Sequence, residues 1–129
     1  MGLFEECSVK AWVNHTLVDY RDIQVHPLSH SFSRGSAVFE VIEIVPTDRG
    51  PAFFCLNQHL QRFIESARAT FMPLTVTPSE LEQALIKTAR ANRVERGVAK
   101  IFAYYPDITL GTLPSSERID VAVFCLGYD

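Results

Sequence analysis

The chain has 129 residues, 47% hydrophobic and 21% charged, with 12 basic and 15 acidic side chains and a formal charge of −3. That length and mix predict one soluble globular domain spanning 1–129, and exclude a disordered chain, a coiled coil and a collagen-like repeat. The acidic balance argues against nucleic acid as a partner, and no apolar run nears the roughly 20 residues of a membrane helix.

The first ten residues carry Glu5 and Glu6 and no apolar h-region, so no signal peptide is expected. Cys7, Cys55 and Cys125 are odd in number, widely spaced and set among apolar residues. They read as reduced, buried thiols of a cytosolic protein, neither disulfides nor a metal site.

From Val9 to Tyr20, Trp12-Val13 and Leu17-Val18 flank Asn14-His15, the pattern of a hairpin with a tight turn. A polar, His-rich segment follows from Asp22 to Gly35. Ser36 to Val45 then alternates and is β-branched, Pro46 to Pro51 reads as a turn, and Ala52 to Leu56 returns as the second strand of a hairpin. Next, Asn57 is the expected N-cap of a helix whose stripe is Leu60, Phe63, Ile64, Ala67 and Phe71, stopped by Pro73. Thr77-Pro78-Ser79-Glu80 is a capping box with proline at the first helical position. It opens a second helix with Leu81, Ala84, Leu85, Thr88 and Ala89 as its stripe, ending at Asn92 or Gly97.

Val98 to Tyr105 and Ile119 to Leu126 are strands, the second apolar enough to be buried on both faces. The 13 residues from Pro106 to Arg118 between them are long enough to suggest a binding loop. The whole is an α+β layer, two helices packed on an antiparallel sheet. The chain stops three residues after a strand of sheet-centre type, an ending consistent with a cut at a linker.

Chemistry-bearing motifs are sparse. There is no Gly-rich phosphate loop, since Gly35 stands alone. His26 and His30 are four apart, but Pro27 breaks a helix between them and no third ligand is near, so no metal site is expected.

Three blocks carry a resemblance. Trp12 to Val18 looks like a "W-V-N-G-x-L-V" opening. Val25-His26-Pro27-Leu28-Ser29-His30-Ser31-Phe32-Ser33-Arg34-Gly35-Ser36-Ala37-Val38-Phe39-Glu40 is similar to "V-x-x-L-S-H-A-x-x-Y-G-x-x-V-F-E". Gly50 to Ala67, continued by Met72-Pro73-Leu74, is similar to "G-x-x-F-x-L-x-x-H-L-x-R-L-x-x-S-A". In this order the blocks resemble the class IV pyridoxal-phosphate enzymes: branched-chain aminotransferases, D-amino-acid aminotransferases and aminodeoxychorismate lyases. The resemblance spans nearly the whole chain. It implies the small N-terminal domain of the D-amino-acid aminotransferase-like fold, with the family's catalytic lysine in a larger domain beyond this chain. The implied function is the N-terminal part of a branched-chain aminotransferase-like enzyme, cytoplasmic and homodimeric, taking an amino acid and a 2-oxo acid. Two alternatives stand beside it, an aminodeoxychorismate lyase type and a non-catalytic dimerisation or regulatory module.

The site residues follow from the same match. Read from the chain, Arg62 is a solvated arginine pairing with Glu65 at i+3; the resemblance makes it a contact to the cofactor phosphate, which a guanidinium suits. His59 beside it reads as a structural hydrogen-bonder. Phe39 is either strand core or an aromatic against the substrate side chain, because Val38 and Phe39 point to opposite faces. Val41 and Glu43 share its face, where the branched-chain enzymes carry Gly and Arg; Val41 is closer to the D-amino-acid enzymes. Arg34 stands where the branched-chain branch has a tyrosine, and Lys100 where it has a carboxylate-binding arginine and some lyases have lysine. Either could meet a substrate carboxylate; Lys100 could instead snorkel at a sheet edge. Of Lys10, Lys87 and Lys100, none matches the family's catalytic lysine, so no catalytic residue is expected here, and the isolated chain is expected to be inactive and not to retain pyridoxal phosphate.

Overall fold

The computed structural model describes residues 9–128, so Cys7 and most of the segment read for a signal peptide lie outside the described residues. Six strands form one antiparallel sheet in the order β2-β1-β6-β5-β3-β4, with helices on it, the expected α+β class. β1 (Lys10–Val13) and β2 (Thr16–Asp19) make the first hairpin. Its two turn residues, Asn14 at φ 45° and His15 at φ 74°, are both left-handed, the twist a two-residue hairpin needs. The Asn14 amide donates to Asp120 at 2.8 Å and its carbonyl accepts from the Val121 N–H at 2.9 Å, which fastens the turn to β6.

A single 3-10 turn, Tyr20–Asp22, leads to α1 (His30–Arg34). The sequence pattern predicted two helices, and this third one was not among them. Five residues are too few to show a period, and its signals are local: the Ser29 hydroxyl caps the Phe32 N–H, and Gly35 at φ 67° ends it.

β3 (Val38–Thr47) and β4 (Gly50–Phe53) make the second hairpin. Its turn is tighter than the expected 46–51. Pro46 and Pro51 face each other inside the ladder and only Asp48-Arg49 reverses the chain. The prolines are tolerated because β4 is the sheet edge and β3 has outrun β5, whose pairing ends at Ile44.

α2 (Leu56–Ala69) starts one residue before Asn57, with Cys55 in the N-cap position at φ 53° and no side-chain cap. Asn57 is therefore not the cap, and Cys55 is exposed, not a buried thiol. The helix ends before Phe71, which takes φ 57° and points into solvent at 92% exposure. The Met72 N–H closes on the Ala67 carbonyl at 2.9 Å and that of Phe71 on Arg68 at 3.1 Å, a Schellman ending that buries Met72 instead.

α3 (Pro78–Ala91) has the expected capping box between Thr77 and Glu80, and Asn92 as its C-cap. Its ending repeats that of α2, with Arg93 at φ 52° and buried Val94 bonded back to Ala89. The Asn92 amide bridges Lys10 and Cys125, tying the helix to β1 and β6.

β5 (Gly97–Tyr104) and β6 (Asp120–Gly127) fill the sheet centre. A Cβ at Gly97 would sit 1.9 Å from the Leu126 carbonyl oxygen, so only glycine admits this approach. Both long helices cover one sheet face. There Phe63, Leu81 and Leu85 pack on Ile42, Ile101 and Val123, all fully buried, and Cys125 lies beneath Leu85. Burial pushes the Cys125 thiol up to about 12.

Candidate functional site

Alternation along β3 sends Val38, Glu40, Ile42 and Ile44 to the helix side and Phe39, Val41 and Glu43 to the other. Phe39 is 56% exposed, so its core reading fails. Across the ladder Val41 faces Lys100 and Phe39 faces Phe102, which brings Phe39, Val41 and Lys100 into one patch. The Lys100 Nζ lies 4.9 Å from the Phe39 ring centre and 4.7 Å from that of Phe102. Phe102 continues to Phe124 with ring centres 5.9 Å apart. The result is an aromatic row crossing three strands, with one ammonium held over two ring faces, a placement the ring quadrupole favours. Lys100 does not sit at an edge, because β5 has β3 on one side and β6 on the other.

On the opposite side of β3 stands a second polar group. The buried Glu40 carboxylate accepts from Arg62 Nε at 2.6 Å, from Arg62 Nη2 at 2.8 Å and from His59 Nδ1 at 2.8 Å. His59 and Arg62 are one turn apart on α2, so both reach the same point of the sheet. Arg62 therefore pairs with Glu40 across the fold; Glu65 takes a bond from Gln61 instead. The Arg62 fork, then His59, hold the Glu40 carboxyl below its ordinary value against the upward push of burial. Glu40 in turn raises Arg62. The Arg62 side chain stays 66% exposed, and its Nη1 makes no bond among the described residues. His59 behaves as the structural hydrogen-bonder the sequence predicts.

Arg34 lies apart from both groups. Its Nη2 donates to the Gly111 carbonyl at 3.3 Å, and no bond joins it to Phe39, Val41 or Lys100. It belongs to a corner where α1 docks on the 106–118 loop. His30 ties that corner together. Its Nε2 donates to the Thr112 carbonyl at 2.9 Å, which leaves Nδ1 to accept from the Ser36 hydroxyl at 2.8 Å. Its ring stands edge-on to Tyr105 at 5.6 Å. His26 is occupied separately, accepting from the Leu28 N–H at 3.0 Å. Among the described residues no His, Cys, Asp and Glu are grouped to hold a metal ion.

Of the larger cavities, one adjoins these groups. An apolar groove of about 440 Å³ runs from Ile23 and Val25 past Phe32 to Phe102 and Phe124, continuous with the aromatic row. A larger cleft of about 650 Å³ lies between β4 and α3 and contains none of the predicted residues. The groove is the better candidate, since it shares Phe102 with the Lys100 patch. Glu40 and Phe102 were absent from the predicted set, although both were readable. A glutamate in step with Val38, Ile42 and Ile44 is a carboxylate on a core face, and Phe102 alternates with Lys100.

No protein-family model matches the chain. The chain is 29% identical over 119 residues to the branched-chain-amino-acid aminotransferase of Escherichia coli (strain K12), covering 90% of this chain and 38% of that protein. It is 28% identical over 112 residues to the protein of the same name from Pseudomonas aeruginosa, covering 87% of this chain and 36% of that one. Among solved structures, the E. coli branched-chain aminotransferase superposes with a TM-score of 0.89 at 26% identity, over 95% of this chain and 42% of that one. The branched-chain aminotransferase of the archaeon Thermoproteus uzoniensis, solved with norvaline, gives 0.88 at 27% identity, over 95% and 42%. The chain thus spans well under half the length of these relatives. In sequence and in fold it matches the N-terminal part of branched-chain aminotransferases, as the three sequence blocks implied.

Proposed function

We propose that this chain is the N-terminal part of a pyridoxal-phosphate-dependent aminotransferase that takes aliphatic amino acids, branched-chain ones included. The observation that supports it most is the Phe39–Lys100–Phe102 arrangement. A row of aromatic rings offers an apolar side chain a surface, and one ammonium held on that row offers its carboxylate a partner. Val41 narrows the same patch beside Lys100. Arg34 takes no part in this patch, and serves the loop corner instead.

Arg62 suits a cofactor phosphate. It is exposed, its charge is permanent, and its outer nitrogen has no partner among the described residues. Pyridoxal phosphate, when bound, supplies an electron-withdrawing ring that stabilises negative charge at the substrate α-carbon. The residues of this chain bind and orient: Arg62 at the phosphate, Lys100 at the substrate carboxylate, Phe39 and Val41 at the substrate side chain. The lysine that completes the chemistry belongs, on this reading, to a second domain, and the chain without it is inactive. The exposed Leu28, Phe32, Ile108, Leu110 and Leu113 around α1 and its loop then face the rest of a homodimeric enzyme.

The test is amino transfer from leucine, valine and glutamate to a 2-oxo acid by the protein at its natural length. Turnover of the aliphatic donors is expected. Lys100→Met should raise KM for every donor by a similar factor, because the shared carboxylate is what it holds. Loss confined to glutamate would show that Lys100 meets a second carboxylate, and no transfer at saturating cofactor would remove the reading altogether.

A further inference from the structure

We propose that Glu40 is a positioning residue, which fixes the Arg62 guanidinium so that its Nη1 edge is presented outward to an oxyanion. The inference rests on the reading of Arg62 as the contact to the cofactor phosphate.

Position 40 lies on the apolar side of β3, between Val38 and Ile42, where an aliphatic side chain would pack without a charge to desolvate. A buried ion pair is a poor way to gain stability, since apolar replacements are often as stable. The carboxylate is nevertheless there at 5% exposure, and every bond it accepts comes from α2. His59 holds Oε2, so the carboxylate cannot swing away from Arg62. The Nε–Nη2 edge of the guanidinium is then docked on both carboxylate oxygens, which sets its plane. The contrast is Arg21, which makes the same fork on Asp19 two residues away at the surface and ties together only adjacent stretches of chain. The Arg62 fork links α2 to β3 across 22 residues and leaves Nη1 of a largely exposed side chain without a partner among the described residues.

The sign of the effect is diagnostic. Glu40 is an anion beside a site for an anion, so charge alone predicts that removing it strengthens phosphate binding. Positioning predicts the reverse, because a free arginine must be ordered when the phosphate arrives. Affinities of the protein at natural length for pyridoxal 5'-phosphate and for pyridoxal, the same ring without phosphate, give a ratio that isolates the phosphate contact. A loss of fold lowers both affinities and leaves that ratio unmoved. Arg62→Ala is expected to lower the ratio about tenfold or more, the loss of a charge-assisted contact. Glu40→Gln and Glu40→Leu should each lower it about threefold, and should abolish the slowly exchanging Arg62 Nε–H signal in NMR spectra. An unchanged ratio in Arg62→Ala overturns the phosphate reading, and this inference with it. A ratio that falls in Arg62→Ala but holds or rises in both Glu40 variants overturns the positioning role alone.

Discussion

The two faces of the sheet are built from the same alternating strands and put to different uses. On the face under α2 and α3, Ile42, Ile101, Val123 and Phe63 are fully buried, and the Glu40 carboxylate has three donor nitrogens around it. On the other face, Phe39 and Val41 are 56% and 45% exposed and the Lys100 ammonium rests on aromatic rings. Single exposed apolar residues need no explanation, but a contiguous row with a charge at its centre marks a surface meant to be covered. The covered face carries most of the buried core; on the proposed reading the open face meets the substrate, while Arg62, from the helix side, meets the cofactor phosphate.

That division can be broken by mutation. Phe63→Ala should cost about 3–5 kcal/mol in urea unfolding, the range for truncating a buried aromatic, whereas Phe39→Ala should cost well under that. Equal losses would mean that the open face is already packed in solution. Thr77→Ala, which removes the cap of α3, should cost about 1 kcal/mol on the covered side.

A smaller effect sharpens the role of Glu40. Its folded pKa lies below the ordinary 4.5, so its ion pair stabilises the protein above that pH and is lost as pH falls through the lowered value. Acid titration of stability should therefore lose part of its slope in Glu40→Gln. The slope from Asp19, lowered to about 2 by Arg21, and from Glu80 in its capping box should persist. An identical acid slope in the variant would show that the pair adds nothing in solution.

The last comparison leaves stability untouched. Exposed Cys55 should react with a thiol reagent in the native protein, and Cys125, beneath α3, only on unfolding, as read by mass spectrometry of the labelled peptides. Native labelling of Cys125 would mean that the covered face opens.

Several features were decided by local pattern. Asn14-His15 between two apolar pairs made a hairpin, Thr77 to Glu80 made a capping box, and period-2 alternation placed Phe39 opposite Val38. These features are decided within a few residues by backbone sterics, caps and the pleat. The same local logic misplaced Asn57 as a cap and Phe71 on a stripe, because helix ends answer to what the neighbouring layer can bury, here Met72. It also could not find partners far along the chain. Arg62 looked to Glu65, three residues on, and took Glu40, 22 residues back, once α2 lay across β3. Lys100 could be an edge lysine until β6 paired with β5 and left it in mid-sheet between two rings. Strand order and the docking of helices on one face alone are properties of the packed molecule. They decide which charges are buried together and which are left for a ligand.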